Sequence, residues 1–220
     1  ASAGYNITIE FKGSWTQTYH DIFVDAADRL TSLVVGEIQN VSVVGLKGRP
    51  VTVDDILITA ELGTIDGTGG VLGQAGPTSI RSSGYLPATA VMKFDIADAD
   101  TFNGEGLFDD IVLHEMSHSL GFGSIWDYLN LVTAEGLFTG AGAVAQYHAL
   151  GGTADGIPVE LDYGAGTAGS HWDEATFGNE LMTGFIDGAN FFSAMSAASF
   201  GDLGYVIAGN YLAVTDPGYS

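Results

Sequence analysis

The sequence lacks cysteine altogether and has few basic residues. With no Cys among its 220 residues, disulfide bonds, a cysteine-based metal site and a thiol nucleophile are all excluded. The 6 Lys and Arg residues oppose 27 Asp and Glu, which gives a formal net charge of −21. Such a surface repels nucleic acid and anionic lipid, so we expect neither as a partner. A salty habitat, bound calcium or simple solubility would each account for this acidity.

Long apolar runs are also missing. Hydrophobic residues make up 46% of the chain, which is enough for a sizeable core. The longest apolar runs, such as residues 141–145, fall far short of the roughly 20 residues that span a membrane. No basic and apolar leader opens the chain, so we expect any signal or pro-segment to lie outside it. The 32 Gly and few basic residues favour a secreted protein, extracellular or at the cell surface, and we expect a monomer.

Hydrophobic periodicity predicts strands and helices in one α+β domain spanning residues 1–220. Alternating apolar residues predict strands at 5–11, 56–62 and 90–94. Apolar spacings of three and four predict helices at 22–34, 107–120, 137–150 and 193–203, with Ser193 as an N-cap. Residues 63–87 are rich in Gly, Ser and Thr, which predicts a long loop that carries an exposed edge strand at 70–74.

The motif His114-Glu115-Met116-Ser117-His118 lies inside the predicted helix 107–120. Because residues i and i+4 share one helical face, both imidazoles can bind one zinc ion at roughly 2.0–2.1 Å. Glu115 lies beside the first of these histidines, where a carboxylate suits a zinc-activated water better than the metal itself. The motif therefore predicts a hydrolytic zinc site with Glu115 as general base.

A catalytic zinc site of this kind needs a third protein ligand. Gly121 follows His118 as in the short metzincin pattern, but Ser124 occupies the position of that pattern's third histidine. Two histidines remain downstream as candidates. His148 lies in the predicted helix 137–150, where an ordinary surface or core histidine is the favoured interpretation. His171 follows a glycine-rich run that can approach the metal helix closely.

Together these residues resemble the leishmanolysin family of metzincin peptidases. The likeness rests on residues 114–122, an insertion, His171-Trp172, and Glu180-Leu181-Met182, and it extends over essentially the whole chain. In that family an insertion precedes the third histidine and a methionine turn follows it. The resemblance implies that His171 is the third zinc ligand and Met182 the methionine of the turn. Two features depart from the family: the absence of disulfides, and Gly184 where some metzincins have a zinc-binding tyrosine.

The resemblance also implies a metzincin-like fold and a zinc-dependent endopeptidase with one catalytic Zn²⁺. Residues 1–123 would form an N-terminal lobe, with a twisted mixed sheet and helices that include the metal-binding helix. Residues 124–220 would form a C-terminal lobe of helix and coil, with the active-site cleft between the lobes. A protein or peptide substrate would add a strand to an exposed edge, with Val71, Leu72 and Gly73 as candidate binding residues. A plain surface loop is the alternative for these three.

Two functions of other classes remain open. One is a metal-stabilised binding or adhesion module of the same fold, against which the intact Glu115 argues. The other is an acidic, calcium-binding exported domain, which would leave the histidine spacing as coincidence. Oxygen donors of the kind that Ca²⁺ prefers crowd one stretch of the chain: Asp95, Asp98, Asp100, Asn103 and Glu105. Their spacing matches no EF-hand, and acids at the start of a helix explain them equally well.

Overall fold

The computed structural model describes residues 4–45, 48–65, 67–69 and 73–220. Over these residues the fold is mixed α+β, as predicted, with a four-stranded sheet, two small two-stranded sheets and six α-helices. The strands are β1 (Ile7–Gly13), β2 (Val41–Val44), β3 (Pro50–Val53), β4 (Ile56–Gly63), β5 (Gly73–Ile80), β6 (Pro87–Asp95), β7 (Leu137–Phe138) and β8 (Ile157–Pro158). The helices are α1 (Gln17–Leu33), α2 (Ile96–Glu105), α3 (Phe108–Ser119), α4 (Ala141–Ala149), α5 (Glu174–Phe177) and α6 (Ala194–Asp202).

The main sheet has the strand order β1-β4-β6-β5. Strands β1, β4 and β6 run parallel, and β5 runs antiparallel to β6 at the edge. A parallel pair needs a crossover connection, and α1 lies within the segment that joins β1 to β4. In β4 the alternate residues Ile56, Ile58, Ala60 and Leu62 are buried, as their period-2 pattern predicts.

Two predicted elements have different bounds in the structure. The segment 63–87 does carry an edge strand between loop residues, as predicted, but that strand, β5, spans Gly73–Ile80 rather than 70–74, of which residues 70–72 lie outside the described part of the chain. Pro77 is tolerated there because an edge strand needs main-chain pairing on one side only. The predicted helix 137–150 begins only at Ala141, because Leu137 and Phe138 pair with β8 instead.

Helix α3 packs against α1 and against strands β5 and β6 of the sheet. Aromatic rings tie these elements together: Phe94 of β6 lies 5.6 Å from Phe23 of α1 and 5.4 Å from Phe108 of α3, between ring centroids. All three side chains are buried. The helix that carries the histidine motif is therefore fixed by the core of the N-terminal part of the chain.

The C-terminal part packs onto the end of α3 through a cluster of aromatic side chains. Trp172 lies 5.0 Å from Phe122, 5.1 Å from Trp126 and 5.3 Å from Phe138, between ring centroids. All four are fully buried. Trp172 is next to His171 in the chain, so this cluster carries His171 towards α3. No helix among the described residues has the length and apolarity to cross a membrane.

Candidate metal centre and active site

His114 and His118 lie one turn apart on the buried face of α3, with their Nε2 atoms 3.0 Å from each other. The helix ends directly after them, since Gly121 has a φ of +116°, which a glycine adopts without strain. The turn brings the Phe122 carbonyl to 2.8 Å from His118 Nδ1. The turn at Gly121 thus ends α3 and also orients the imidazole of His118.

His171 joins these two histidines from the C-terminal part of the chain. Its Nε2 lies 3.0 Å from that of His118 and 3.2 Å from that of His114. The approach depends on close contact of two backbones, because a Cβ at Gly123 would lie only 2.1 Å from the Ser170 carbonyl oxygen. Gly123 also has a φ of +70°. A glycine at this position lets the segment before His171 lie against the end of α3.

We expect the substitution Gly123→Ala to weaken both the fold and metal binding. The new methyl group would push Ser170 and His171 away from α3, in addition to straining the left-handed backbone by about 1–2 kcal/mol. Gly151→Ala is the matched control, because Gly151 has a φ of +99° but no atom within 4 Å of its Cβ position. Thermal unfolding with and without zinc measures both effects. Equal losses of zinc stabilisation in the two variants would contradict this role of Gly123.

Main-chain carbonyl groups fix which ring nitrogen carries the proton in each of the three imidazoles. Each Nδ1 lies beside a carbonyl oxygen, to which its N–H donates: Leu181 for His114 at 2.7 Å, Phe122 for His118 at 2.8 Å, and Thr167 for His171 at 2.9 Å. A neutral imidazole that carries its proton on Nδ1 has a lone pair on Nε2. Three lone pairs therefore point towards one another.

This set of donors fits a zinc ion. Three nitrogens that bind a tetrahedral zinc at ~2.0–2.1 Å are about 3.3 Å apart, close to the 3.0–3.2 Å between these Nε2 atoms. Burial also lowers the pKa of His114 and His171 to about 4, and that of His118 well below its usual value. The imidazoles are thus neutral at pH 7, the form that binds metals. These three residues could hold a metal ion.

Glu115 lines the same cavity as the three histidines. The cavity has a volume of about 770 Å³ and lies between β5, α3 and the segments around residues 166–171 and 184–186. Glu115 is partly buried, and the loss of hydration raises the pKa of its carboxyl to about 7. The predicted base and the predicted ligands therefore share one cavity.

The remaining predicted site residues lie in different places. Gly73 lines the cavity at the start of β5, whereas Val71 and Leu72 lie outside the described residues. Met182 is fully buried, and its carbonyl accepts a hydrogen bond from the Trp172 N–H at 3.0 Å. His148 is exposed on α4, where its Nε2 contacts the Ala154 carbonyl at 2.9 Å, so it is not part of the histidine group.

The candidate calcium ligands do not form one group of converging acids in the described part of the chain. Asp95 caps α2, with its carboxylate accepting the Ala97 N–H at 2.9 Å, and Asp98 accepts the Gly69 N–H at 2.8 Å. Asp100 accepts a hydrogen bond from the Tyr19 hydroxyl. Asn103 and Glu105 are exposed. A calcium site here stays an untested prediction.

Comparison with known proteins identifies the family. The family model for leishmanolysin, peptidase M8, matches residues 51–214, which include all three histidines and Glu115. The chain belongs to the leishmanolysin family. It is 33% identical over 166 residues to a leishmanolysin homolog of Crithidia fasciculata, covering 64% of this chain and 23% of that protein. It is 30% identical over 162 residues to leishmanolysin of Leishmania donovani, covering 64% and 26% respectively.

The chain thus spans about a quarter of the length of these leishmanolysin relatives. The family assignment agrees with the resemblance drawn from the histidine motif and from Glu180-Leu181-Met182. Sequence reasoning did not find the groups that orient the histidines, because three of them are main-chain carbonyls that no residue type signals. It also did not find Gly123, whose importance depends on a contact with Ser170.

Proposed function

We propose that this chain is the catalytic domain of a zinc-dependent endopeptidase. The observation that supports this most strongly is the convergence of three buried Nε2 atoms within 3.0–3.2 Å, beside a carboxylate in the same cavity. Membership of the leishmanolysin family supports the same class of reaction. An intact carboxylate at position 115 favours catalysis over a metal-stabilised binding module, which needs no base there.

In this proposal His114, His118 and His171 hold the ion through Nε2. When bound, zinc supplies a Lewis acid that polarises the substrate carbonyl and lowers the pKa of a water molecule. The three carbonyl partners of the Nδ1 atoms keep each imidazole in the tautomer that binds metal. Burial of the rings at 7–8% exposure keeps competing water away from them.

Glu115 is the proposed general base. Its carboxylate faces the cavity, where it can accept a proton from the attacking water and later deliver it to the leaving amine. Glu115 follows His114 directly on α3, so its side chain leaves the helix about 100° away from that of the histidine. Both residues line the cavity, but Glu115 is not part of the group of converging histidines. The helix therefore supplies two ligands and the base as one rigid unit.

The substrate would bind as an extended strand along β5. Among the described strands β5 is an edge of the main sheet, paired with β6 alone, and Gly73, Gln74 and Ala75 line the cavity. A peptide can add to such an edge through main-chain hydrogen bonds. The cavity also has apolar walls suited to substrate side chains, formed by Phe102, Ile111, Phe185 and Ile186.

The organisation of the chain is part of the same proposal. Residues 1–123 and 124–220 would act as the two lobes of one metzincin-like catalytic domain, with the cavity as the cleft between them. Met182 would be the methionine of the turn beneath the zinc. We further propose that the protein acts outside the cell or at its surface, as a monomer. Each of these features is proposed because the chain belongs to the leishmanolysin family.

Metal analysis and a peptidase assay on the purified chain test the proposed activity. We expect about one zinc per chain, cleavage of an unfolded protein substrate, loss of cleavage on chelation and recovery on adding about one equivalent of zinc. A variant that lacks Glu115, purified and chelated in the same way, controls for contaminating proteases, because any cleavage that it shows comes from another enzyme. Bound zinc without any turnover would instead favour the binding-module alternative, and a chain that binds no zinc would contradict both.

A further inference from the structure

Glu180 is a fully buried carboxylate that lies behind the candidate metal centre. Four donors converge on it: the Met182 N–H, the Ser193 N–H at 3.2 Å, the Ser193 hydroxyl at 2.7 Å and the Ser196 hydroxyl. A buried carboxyl group is costly unless such donors satisfy it. Ser193 and Ser196 lie at the start of α6, so the carboxylate joins this helix to the segment around Met182.

The first connection from Glu180 leads to His114. Its Oε2 accepts the N–H of Met182, and the preceding Leu181 presents the carbonyl that accepts His114 Nδ1–H at 2.7 Å. The Leu181 N–H is held in turn by the Phe191 carbonyl at 2.8 Å. The peptide that orients His114 is therefore fixed on both sides, and Glu180 supplies one of the two restraints.

The second connection leads to His171. The Ser196 hydroxyl that donates to Glu180 also accepts the indole N–H of Trp172 at 2.9 Å. The Trp172 main-chain N–H donates to the Met182 carbonyl at 3.0 Å. Trp172 is thus restrained at its side chain and at its backbone by groups that Glu180 holds. Because Trp172 follows His171, these restraints limit where His171 can lie.

We propose that Glu180 is a positioning residue that fixes His114 and His171 in the geometry needed to bind metal. This inference rests on the proposed zinc site and goes beyond it. His118 is the internal contrast, because its Nδ1–H donates to Phe122 at the end of its own helix, without a link to Glu180. One carboxylate therefore aligns two histidines from distant parts of the chain, whereas the turn that follows α3 aligns the third.

The substitution Glu180→Gln tests this role selectively. The glutamine oxygen can still accept from Ser193 and Ser196, but its amide group then faces the Met182 N–H, so two donors meet and that hydrogen bond is lost. Ser196→Ala is the second variant: it removes the hydrogen bonds of the Ser196 hydroxyl to Glu180 and Trp172, and so breaks the connection to His171 but not the one to His114. Ser193→Ala is the matched control: it removes a hydrogen bond to Glu180 and the cap of α6, but neither connection to a histidine.

The readouts are zinc affinity, from competition with a chelator, and the visible absorption of the Co²⁺-substituted protein, which reports ligand geometry. We expect Glu180→Gln to lower zinc affinity by about 10–100-fold, the range typical of changes behind metal ligands, and to shift the Co²⁺ spectrum. Ser196→Ala should also lower zinc affinity and shift the Co²⁺ spectrum. If Glu180→Gln does not fold, the result for Ser196→Ala tests the inference by itself. Ser193→Ala should lower the unfolding temperature but leave zinc affinity within about 3-fold.

Two results would overturn the inference. If wild type binds zinc and all three variants bind it equally well with the same Co²⁺ spectrum, Glu180 has no positioning role and the proposed zinc site survives. The same conclusion follows if Ser193→Ala weakens zinc binding as much as Glu180→Gln, because the effect is then general stability. Wild-type protein that binds neither Zn²⁺ nor Co²⁺ would overturn the proposed function and this inference together.

Discussion

Replacing Glu115 with glutamine is expected to abolish peptide hydrolysis while the zinc content stays near one ion per chain. Glutamine has nearly the same shape but cannot accept a proton, so the loss isolates the base from the ligands. Removal of a general base lowers the rate by about 10²–10⁴-fold. Since Glu115 lines the cavity and is not part of the group of converging histidines, metal affinity should change little. Initial rates on a fluorogenic peptide, together with metal analysis, measure both quantities.

The control for Glu115→Gln is Glu135→Gln, the same chemical change at an exposed position. That variant should keep wild-type rates and zinc content. Glu115→Asp adds a graded test, because its carboxylate remains a base but is withdrawn from the cavity by one methylene. We expect its activity to lie between those of wild type and Glu115→Gln. A Glu115→Gln protein with activity within a few-fold of wild type would rule out the proposed base.

The second large effect is expected for His171→Ala, which should lose zinc and activity together. The remaining two ligands, His114 and His118, would hold the ion weakly, since catalytic zinc sites use three protein ligands. We expect zinc affinity to fall by more than ~100-fold, beyond the ~10–100-fold typical of groups behind the ligands. Dialysis against a mild chelator, followed by metal analysis, measures the loss.

His148→Ala is the matched control, because His148 is the other downstream histidine and lies exposed on α4. It should retain both zinc and activity. Circular dichroism of the metal-free proteins is needed for both variants, since a zinc site can also support the fold. If His148→Ala lost zinc while His171→Ala kept it, the assignment of the third ligand would be refuted, whatever the family.

Much of the N-terminal fold follows from local pattern. The alternation in residues 56–62 predicted β4, and the apolar spacing in residues 22–34 predicted most of α1, because each element buries one face against the same core. Strand β5 was harder to predict, since Gly76 and Pro77 favour loops. It is a strand because β6, the next strand along the chain, offers it a partner edge, and the residue pattern of β5 itself does not signal that pairing.

The sequence alone determined that this protein has no thiol chemistry, carries a strongly acidic surface and presents two histidines and a glutamate on one helix. These properties depend on composition or on spacings of one to four residues, which helical geometry converts directly into a shared face. Tertiary structure decided that His171, rather than His148, lies 3.0 Å from His118, across 53 residues of chain. It also decided that Glu180 lies behind the histidines, because such long-range contacts depend on how the aromatic core packs and not on any local repeat.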